Sequence, residues 1–341
     1  MTRLSRTSQS PQRARRLHFM RPQQLLMAYI LDLVVGDPQG WPHPVRWMGR
    51  MINWGERLVR RFSRSSTGEL LGGAVLANSL VGFSFLAPRY AIERLSRRQN
   101  TVGVTGEVLL AWTCLAMRSL QREAGEVLDA LDARDLSTAR ARLSRIVGRD
   151  TIHLNEGAIC RAVIETVAES TCDGVIAPLT FLAIGGVPAA MAYKAINTLD
   201  SMIGHMEQPY TYVGRWAART DDLANFLPAR LTALCIVVAA ALVRQDAGAA
   251  WRIWRRDGPK HLSPNAGRCE AAMAGALGVR LGGTNTDDGL PCHREYLGDG
   301  QRECQRQDAR KALRIALVSS VLACSMALAF SHWFCTKRKR Q

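Results

Sequence analysis

Apolar residues gather in this chain into runs long enough to enter a bilayer. Residues 70–88, 174–193 and 315–335 contain no Asp, Glu, Lys or Arg, and a membrane-crossing helix needs about 20 predominantly apolar residues. Residues 226–243 form a similar run that holds Arg230, and 102–117 is a weaker one with Glu107 inside it. The run 25–35 contains Asp32 and is too short to span unaided. Pro178, Gly185, Gly186 and Pro188 punctuate 174–193, as in a broken or re-entrant helix. Between the runs, Leu120, Val127, Leu128, Leu131, Leu143, Ile146 and Val147 recur at helical spacing, so 119–147 reads as an amphipathic helix. Residues 155–170 continue in that style. Strand signals are scarce and no internal repeat is visible. The pattern predicts an all-α, polytopic membrane protein with about four to five transmembrane helices plus amphipathic and re-entrant helices.

Composition narrows the class. With 47% hydrophobic residues in 341, the chain has enough apolar surface to form a core, which excludes disorder for its bulk. The net charge of +16 points to nucleic acid, anionic lipid or a phosphorylated substrate. Much of that charge sits beside the runs: Arg57, Arg60, Arg61 and Arg64 precede 70–88, and Arg89, Arg94, Arg97 and Arg98 follow it. Such clusters read as membrane flanks, so a lipid bilayer is the expected partner and nucleic acid is not. Both flanks are basic, so this segment does not orient itself. Nine cysteines without a CxxC read as reduced, structural residues. A metal site at Cys292, His293 and Cys304 is the alternative, at a spacing that matches no strong zinc pattern. Residues 1–22 carry six arginines and no acid and read as a basic, flexible extension. Residues 23–335 form a single membrane domain, and 336–341 a basic tail.

Polar clusters beside the apolar runs are harder to explain by packing. Asp37, His43 and Arg46 lie in a Gly-Asp-Pro turn and the proline-rich stretch after it. Arg161, Glu165, Glu169 and Asp173 follow at four-residue steps, one helix face leading into 174–193. Carboxylates so placed are suited to Mg²⁺, which takes oxygen ligands and keeps waters for phosphates. Lys194, Asn197 and Ser201 share one face beyond that run, with Asp200 and His205 nearby. Ionisable groups at membrane depth are costly, which makes function their default reading. Arg219, Asp221, Asp222, Asn225 and Arg230 lead into 226–243. Ser263, Pro264 and Asn265 open a small-residue segment, with Ser263 a candidate helix cap. No P-loop, HExxH or GxSxG occurs, so any nucleotide site is a nonstandard one.

At these clusters the sequence resembles the cobinamide-phosphate synthases of cobalamin biosynthesis, membrane proteins of the CbiB/CobD type. The matching runs are LDLVVGDPQGWPHPVRWMGR (31–50), ARARLSRIVGRDT (139–151), AVIETVAES (162–170), DGVIAPL (173–179), YKAINTLDSMIGH (193–205), DDLANFLPARLTA (221–233) and SPNAGRCEAAMAGALGVRLGG (263–283). They cover roughly 25–290 in linear order. The chain departs from the family pattern at Ser170, where Asn is frequent, at Arg268 and Cys269, where Trp-Pro is usual, and over 284–289, where an aromatic-containing tract is usual.

The resemblance implies an ATP- and Mg²⁺-dependent amide ligase of the cell (inner) membrane, crossing it several times. It would join adenosylcobyric acid, through its f-side propionate, to (R)-1-aminopropan-2-ol or its O-phosphate, giving adenosylcobinamide (phosphate). Other cobalamin-assembly enzymes are possible partners. Such chemistry needs carboxylates for metal, cations for phosphate and a base for the amine proton. By chemistry, Glu165, Glu169 and Asp173 are assigned to metal, with Asp200 a further candidate. Arg46, Arg149, Lys194, Asn197, Arg230 and Asn265 are assigned to phosphate or substrate, and Asp37, His43 and Asp200 to catalysis. Two other classes share the sequence features. A polytopic transporter would also use a broken helix and intramembrane charges, but predicts a repeated half that is not visible. A noncatalytic scaffold for cobalamin-assembly enzymes would tolerate loss of Asp200.

Overall fold

The computed structural model describes residues 19–37, 40, 41, 43–63, 65–205, 209–287 and 289–339. Nearly all of the basic segment 1–22 and the last two residues of the tail lie outside the described residues.

Helix α1 (Pro22–Val35) opens with proline at its first position and ends at Gly36, whose φ of +66° favours glycine. A Cβ there would meet the Arg118 side chain at 2.8 Å. The buried Asp32 of α1 accepts a hydrogen bond from the Met117 N–H at 2.9 Å, capping α5 (Met117–Asp132) from a distant part of the chain. Helix α2 (Pro44–Phe62) starts at the His43 cap, whose Nδ1 accepts from the Val45 N–H at 3.3 Å. Helix α3 (Ser66–Arg98) carries the 70–88 run. Helix α4 (Asn100–Trp112) packs back against α3 and α1. At 13 residues, or about 20 Å, α4 falls short of a span. Residues 102–117 are therefore not the continuous apolar helix the pattern offered. The amphipathic segment 119–147 also breaks. Arg134 has φ +58°, and Asp135 caps a separate α6 (Leu136–Leu143) by accepting from the Thr138 N–H at 2.9 Å.

Helix α7 (Glu156–Thr171) runs through one π-helical turn (Cys172–Ile176) into α8 (Ala177–Ile203). A straight path would separate residues 173 and 197 by about 36 Å. Instead, the Asn197 Nδ2 donates to Asp173 Oδ2 at 3.2 Å, and the Phe181 ring stacks on Tyr193 at 4.8 Å. The chain reverses at Gly186, where φ 64° and ψ −161° form a conformation essentially restricted to glycine. Pro188, which lacks an N–H, follows in the same turn. By length and apolar composition α3, the α7–α8 stretch and the last helix, α13 (Arg306–Lys339), qualify as spans, and α9 (Arg215–Ala224) with α10 (Phe226–Leu242), bent by 49° at the break, is a fourth when the bent pair is counted as one. The contacts across α8 show that this second stretch doubles back on itself at Gly186 as a helical hairpin.

Helices α11 (Ala247–Asp257) and α12 (Ala266–Leu277) pack on each other and on α10. An antiparallel hairpin, β1 (Leu281–Asp287) and β2 (Leu290–Leu297), is then a small addition to a fold that is otherwise helical among the described residues, as the all-α expectation had it. A register shift between Leu281 and Gly283 frees the Gly282 N–H, which donates to Glu165 Oε1 at 2.8 Å. Helix α13 (Arg306–Lys339) runs antiparallel to α1: Tyr29 OH meets Ser320 Oγ at 2.7 Å, and Ser331 Oγ donates to the Met20 carbonyl at 2.5 Å. All nine cysteines are free thiols, and seven are buried.

Candidate functional site

The reversal of α8 brings carboxylates from four elements to one place. Glu169 comes from α7, Asp173 from the π turn, Asp200 from the returning limb of α8 and Asp221 from α9. Together they line a cavity of about 100 Å³, closed on its other side by Asn225, Ser263 and Asn265. A π turn inserts one extra residue per turn and is common at functional sites. Here it carries Asp173. Coulombic repulsion links Asp173 to Asp221 and Glu169, and Asp200 to Asp221. The cation facing them is Lys194, whose Nζ lies 3.4 Å from Asn197 Oδ1 and which attracts both Asp173 and Asp221. Asn225 anchors the floor: its Oδ1 accepts from the Tyr193 hydroxyl at 2.9 Å, and its Nδ2 donates to Asp221 Oδ2 at 3.0 Å. The other Asp221 oxygen is buried without a hydrogen-bond partner.

A second pocket has a volume of about 170 Å³. Asp37, Trp41, His43, Leu109 and Trp112 line it. His43 Nε2 stands 3.7 Å from Asp37 Oδ1. Burial lowers the His43 pKa from its usual value; Asp37 opposes that shift, and the positive charges of Arg46 and Lys194 reinforce it. Lys194 thus acts electrostatically on both pockets. Arg46 is exposed and donates to the Trp41 carbonyl at 3.5 Å.

Other residues singled out in the sequence have partners of their own. Arg149 Nη2 donates to Glu165 Oε2 at 2.5 Å, and its Nη1 donates to Asn285 Oδ1 at 2.9 Å. With the Gly282 N–H on its other oxygen, Glu165 uses both oxygens to tie α7 to the β-hairpin. It therefore stands apart from Glu169 and Asp173, which line the cavity. Arg230 lies over the Phe226 ring, 3.5 Å from its centroid, and bonds the Phe226 carbonyl at 2.5 Å. Asn265 donates to the Asp222 carbonyl at 2.8 Å, fixing the cavity rim. Ser263 caps the start of α12 as expected, accepting from the Ala266 N–H at 3.2 Å, but the helix begins at Ala266 rather than at Pro264. Among the described residues, no three His, Cys, Asp or Glu side chains already converge as a metal site, and Cys292, His293 and Cys304 form none.

Several residues were not placed in the site from the sequence. Asp221 and Asn225 stood in a noted cluster, and their four-residue spacing ahead of an apolar run was the available signal. His261 and Glu270 were given no role: His261 Nε2 lies 3.9 Å from Glu270 Oε1. Burial pushes the Glu270 carboxyl well above the usual range; Glu165 and Glu169 add to that, while Arg294 and Arg149 oppose it.

The arrangement has the parts for chemistry on an anionic, phosphorylated substrate. It has an acid-lined cavity, a lysine whose charge acts on both pockets, and an imidazole 3.7 Å from a carboxylate. The model of the CobD/CbiB protein family matches residues 25–316. A cobalamin biosynthesis protein CbiB of Salmonella choleraesuis (strain SC-B67) is 45% identical over 303 residues, covering 89% of this chain and 95% of the relative. A cobalamin biosynthesis protein CobD of Klebsiella pneumoniae subsp. pneumoniae is 44% identical over 307 residues, covering 90% and 96%. No solved structure matches the chain. A family match over most of the chain, with relatives this similar over nearly their whole length, establishes that the chain belongs to the CobD/CbiB protein family.

Proposed function

We propose that this protein is the ATP-dependent amide ligase of its family, joining adenosylcobyric acid to aminopropanol or its O-phosphate at the cell membrane. Its place in cobalamin biosynthesis follows from the family. The observation that carries the ligase reading is the acid cavity, to which Lys194 is linked through Asn197. A carboxylate does not condense with an amine unaided. In the proposed reaction the corrinoid propionate attacks the γ-phosphorus of ATP and ADP leaves. The amine then attacks the resulting acyl phosphate, phosphate leaves, and a base takes the amine proton. This reading assigns Mg²⁺ to the cavity, because that ion binds through as few as one or two carboxylates, keeps several waters and takes phosphate oxygens. Asp173, Asp200, Asp221 and Glu169 are the residues that would hold it, and the unpartnered Asp221 oxygen is an available ligand. Bound there, the ion would neutralise charge on the transferring phosphoryl group.

Lys194, whose charge acts on both pockets, would orient an anionic oxygen, with Asn197 as its support. His43, neutral and oriented by its Val45 contact, is the candidate base, with Asp37 beside it to stabilise the imidazolium that forms. Arg46 stands at the mouth of that pocket. The test is to trap the activated acid: protein, adenosylcobyric acid, ATP and Mg²⁺ are incubated with hydroxylamine in place of the amine. The ligase reading expects ATP-dependent corrinoid hydroxamate. Absence of hydroxamate, with amide formed when the natural amine is supplied, rejects a free acyl phosphate. Absence of both rejects the ligase.

A further inference from the structure

We propose that α2 is an interfacial helix that seats on the anionic headgroups of the bilayer, fixing the His43 end of the site at the membrane surface. This inference goes beyond the ligase reading and stands without it. Helix α2 presents three faces. Met48, Ile52 and Gly55 are buried, and Gly55 abuts Leu76 of α3 while Val59 abuts Gly72. Trp47, Trp54, Leu58 and Phe62 form a second stripe, at steps of seven and four residues that keep side chains on one face. These are 55%, 68%, 40% and 75% exposed, respectively, too much apolar surface on one helix to be left in water. The third stripe is Arg46, Arg50, Arg57 and Arg61, all exposed and running alongside the second.

The charge pattern selects the occupant. Arginines on one edge and tryptophans on the next match the phosphate level and the upper acyl level of a leaflet. A basic face of this kind is drawn to anionic lipid. A second copy seated on this face would bring the arginine stripes together, which like charge disfavours. The contact points also agree, since Gly72 and Leu76 lie where the apolar run of α3 begins. Because α2 starts at His43, its seating fixes the entrance of the His43 pocket relative to the headgroups.

The test uses the full-length protein in nanodiscs of phosphatidylcholine alone or mixed with phosphatidylglycerol. The emission lost in W47F/W54F isolates those two tryptophans. It should be quenched by lipids brominated near the carbonyl end of the acyl chain and shielded from aqueous acrylamide. Amide exchange over 46–62 should be slower in the anionic discs by about tenfold, and R50Q/R57Q/R61Q should abolish that difference. Quenching by acrylamide instead of brominated lipid, or protection from both, overturns the proposal. So does wild-type exchange that is the same in both lipid compositions, a result that needs no variant to fold.

Discussion

Asp221, with one buried oxygen that has no hydrogen-bond partner, is the carboxylate on which the proposed chemistry makes its sharpest prediction. Replacing it or Asp200 with Asn preserves shape and removes a negative charge. Turnover in D221N and D200N should fall at least about 10²-fold, partly recovered at high Mg²⁺, with little change in thermal unfolding. Arg149 should behave differently, because it neutralises the buried Glu165. R149A leaves that carboxylate uncompensated and should cost about 3–5 kcal/mol, while the double variant R149M/E165M should lose far less. Unfolding in detergent distinguishes this from a phosphate-binding role, which would lower activity at unchanged stability. The pH dependence carries a definite sign. His43 loses its proton below its ordinary pKa, so the acid limb of kcat/KM should lie below about pH 6.5. Arg46→Gln removes a cation that disfavours the imidazolium. Protonation then becomes easier and the limb moves to higher pH, which a pair of pH–rate profiles reads directly. At this scale the sequence exposed the polar clusters but not their partners. Asp37, His43, Asp173, Lys194 and Asn197 were visible as polar groups beside apolar runs. Arg149 and Glu165 looked equally free, since an ion pair across 16 residues and a bond to the later Gly282 leave no local signature.

The element that builds the site is the helical hairpin of α8. Cysteines introduced at Phe181 and Tyr193 should crosslink readily on mild oxidation, with the joined peptides identified by mass spectrometry. In a straight helix those positions would be about 18 Å apart and no such crosslink would form. Gly186→Ala forces a side chain onto a backbone conformation that only glycine tolerates, and should cost about 1–3 kcal/mol in unfolding experiments while opening the Asp173–Asn197 contact. The break itself was legible, because two prolines and paired glycines inside an apolar run signal interruption. The return was not, since it depends on Phe181 meeting Tyr193 and Asn197 meeting Asp173. The β-hairpin was illegible for a related reason. Its strands Leu281–Asp287 and Leu290–Leu297 lack alternation, and the first is pinned by Glu165 and Arg149 from other elements. The split of 119–147 into α5 and α6 rests on a single left-handed residue, Arg134, which no periodicity reveals.

Across the whole molecule, α1, α3, α4, α8, α10 and α13 supply the apolar framework, and the chain brings its polar clusters together beside it. Asp37 and His43 follow α1, Glu169 and Asp173 end α7, Lys194 to Asp200 close α8, and Asp221 and Asn225 precede α10. Segments far apart in sequence thus converge around Lys194, which explains why separate short motifs marked the site before any fold was known. A transporter reading would need the acid cavity to open alternately to two sides, whereas a scaffold would not need four carboxylates in one cavity. The most direct measurement is conversion itself. Purified protein in nanodiscs is given adenosylcobyric acid, Mg²⁺, ATP and either aminopropanol or its phosphate, and the corrinoid mass is followed. The account predicts an ATP-dependent shift to the mass of the matching cobinamide product, lost in D221N. A folded protein that leaves the corrinoid mass unchanged with both amines would contradict it.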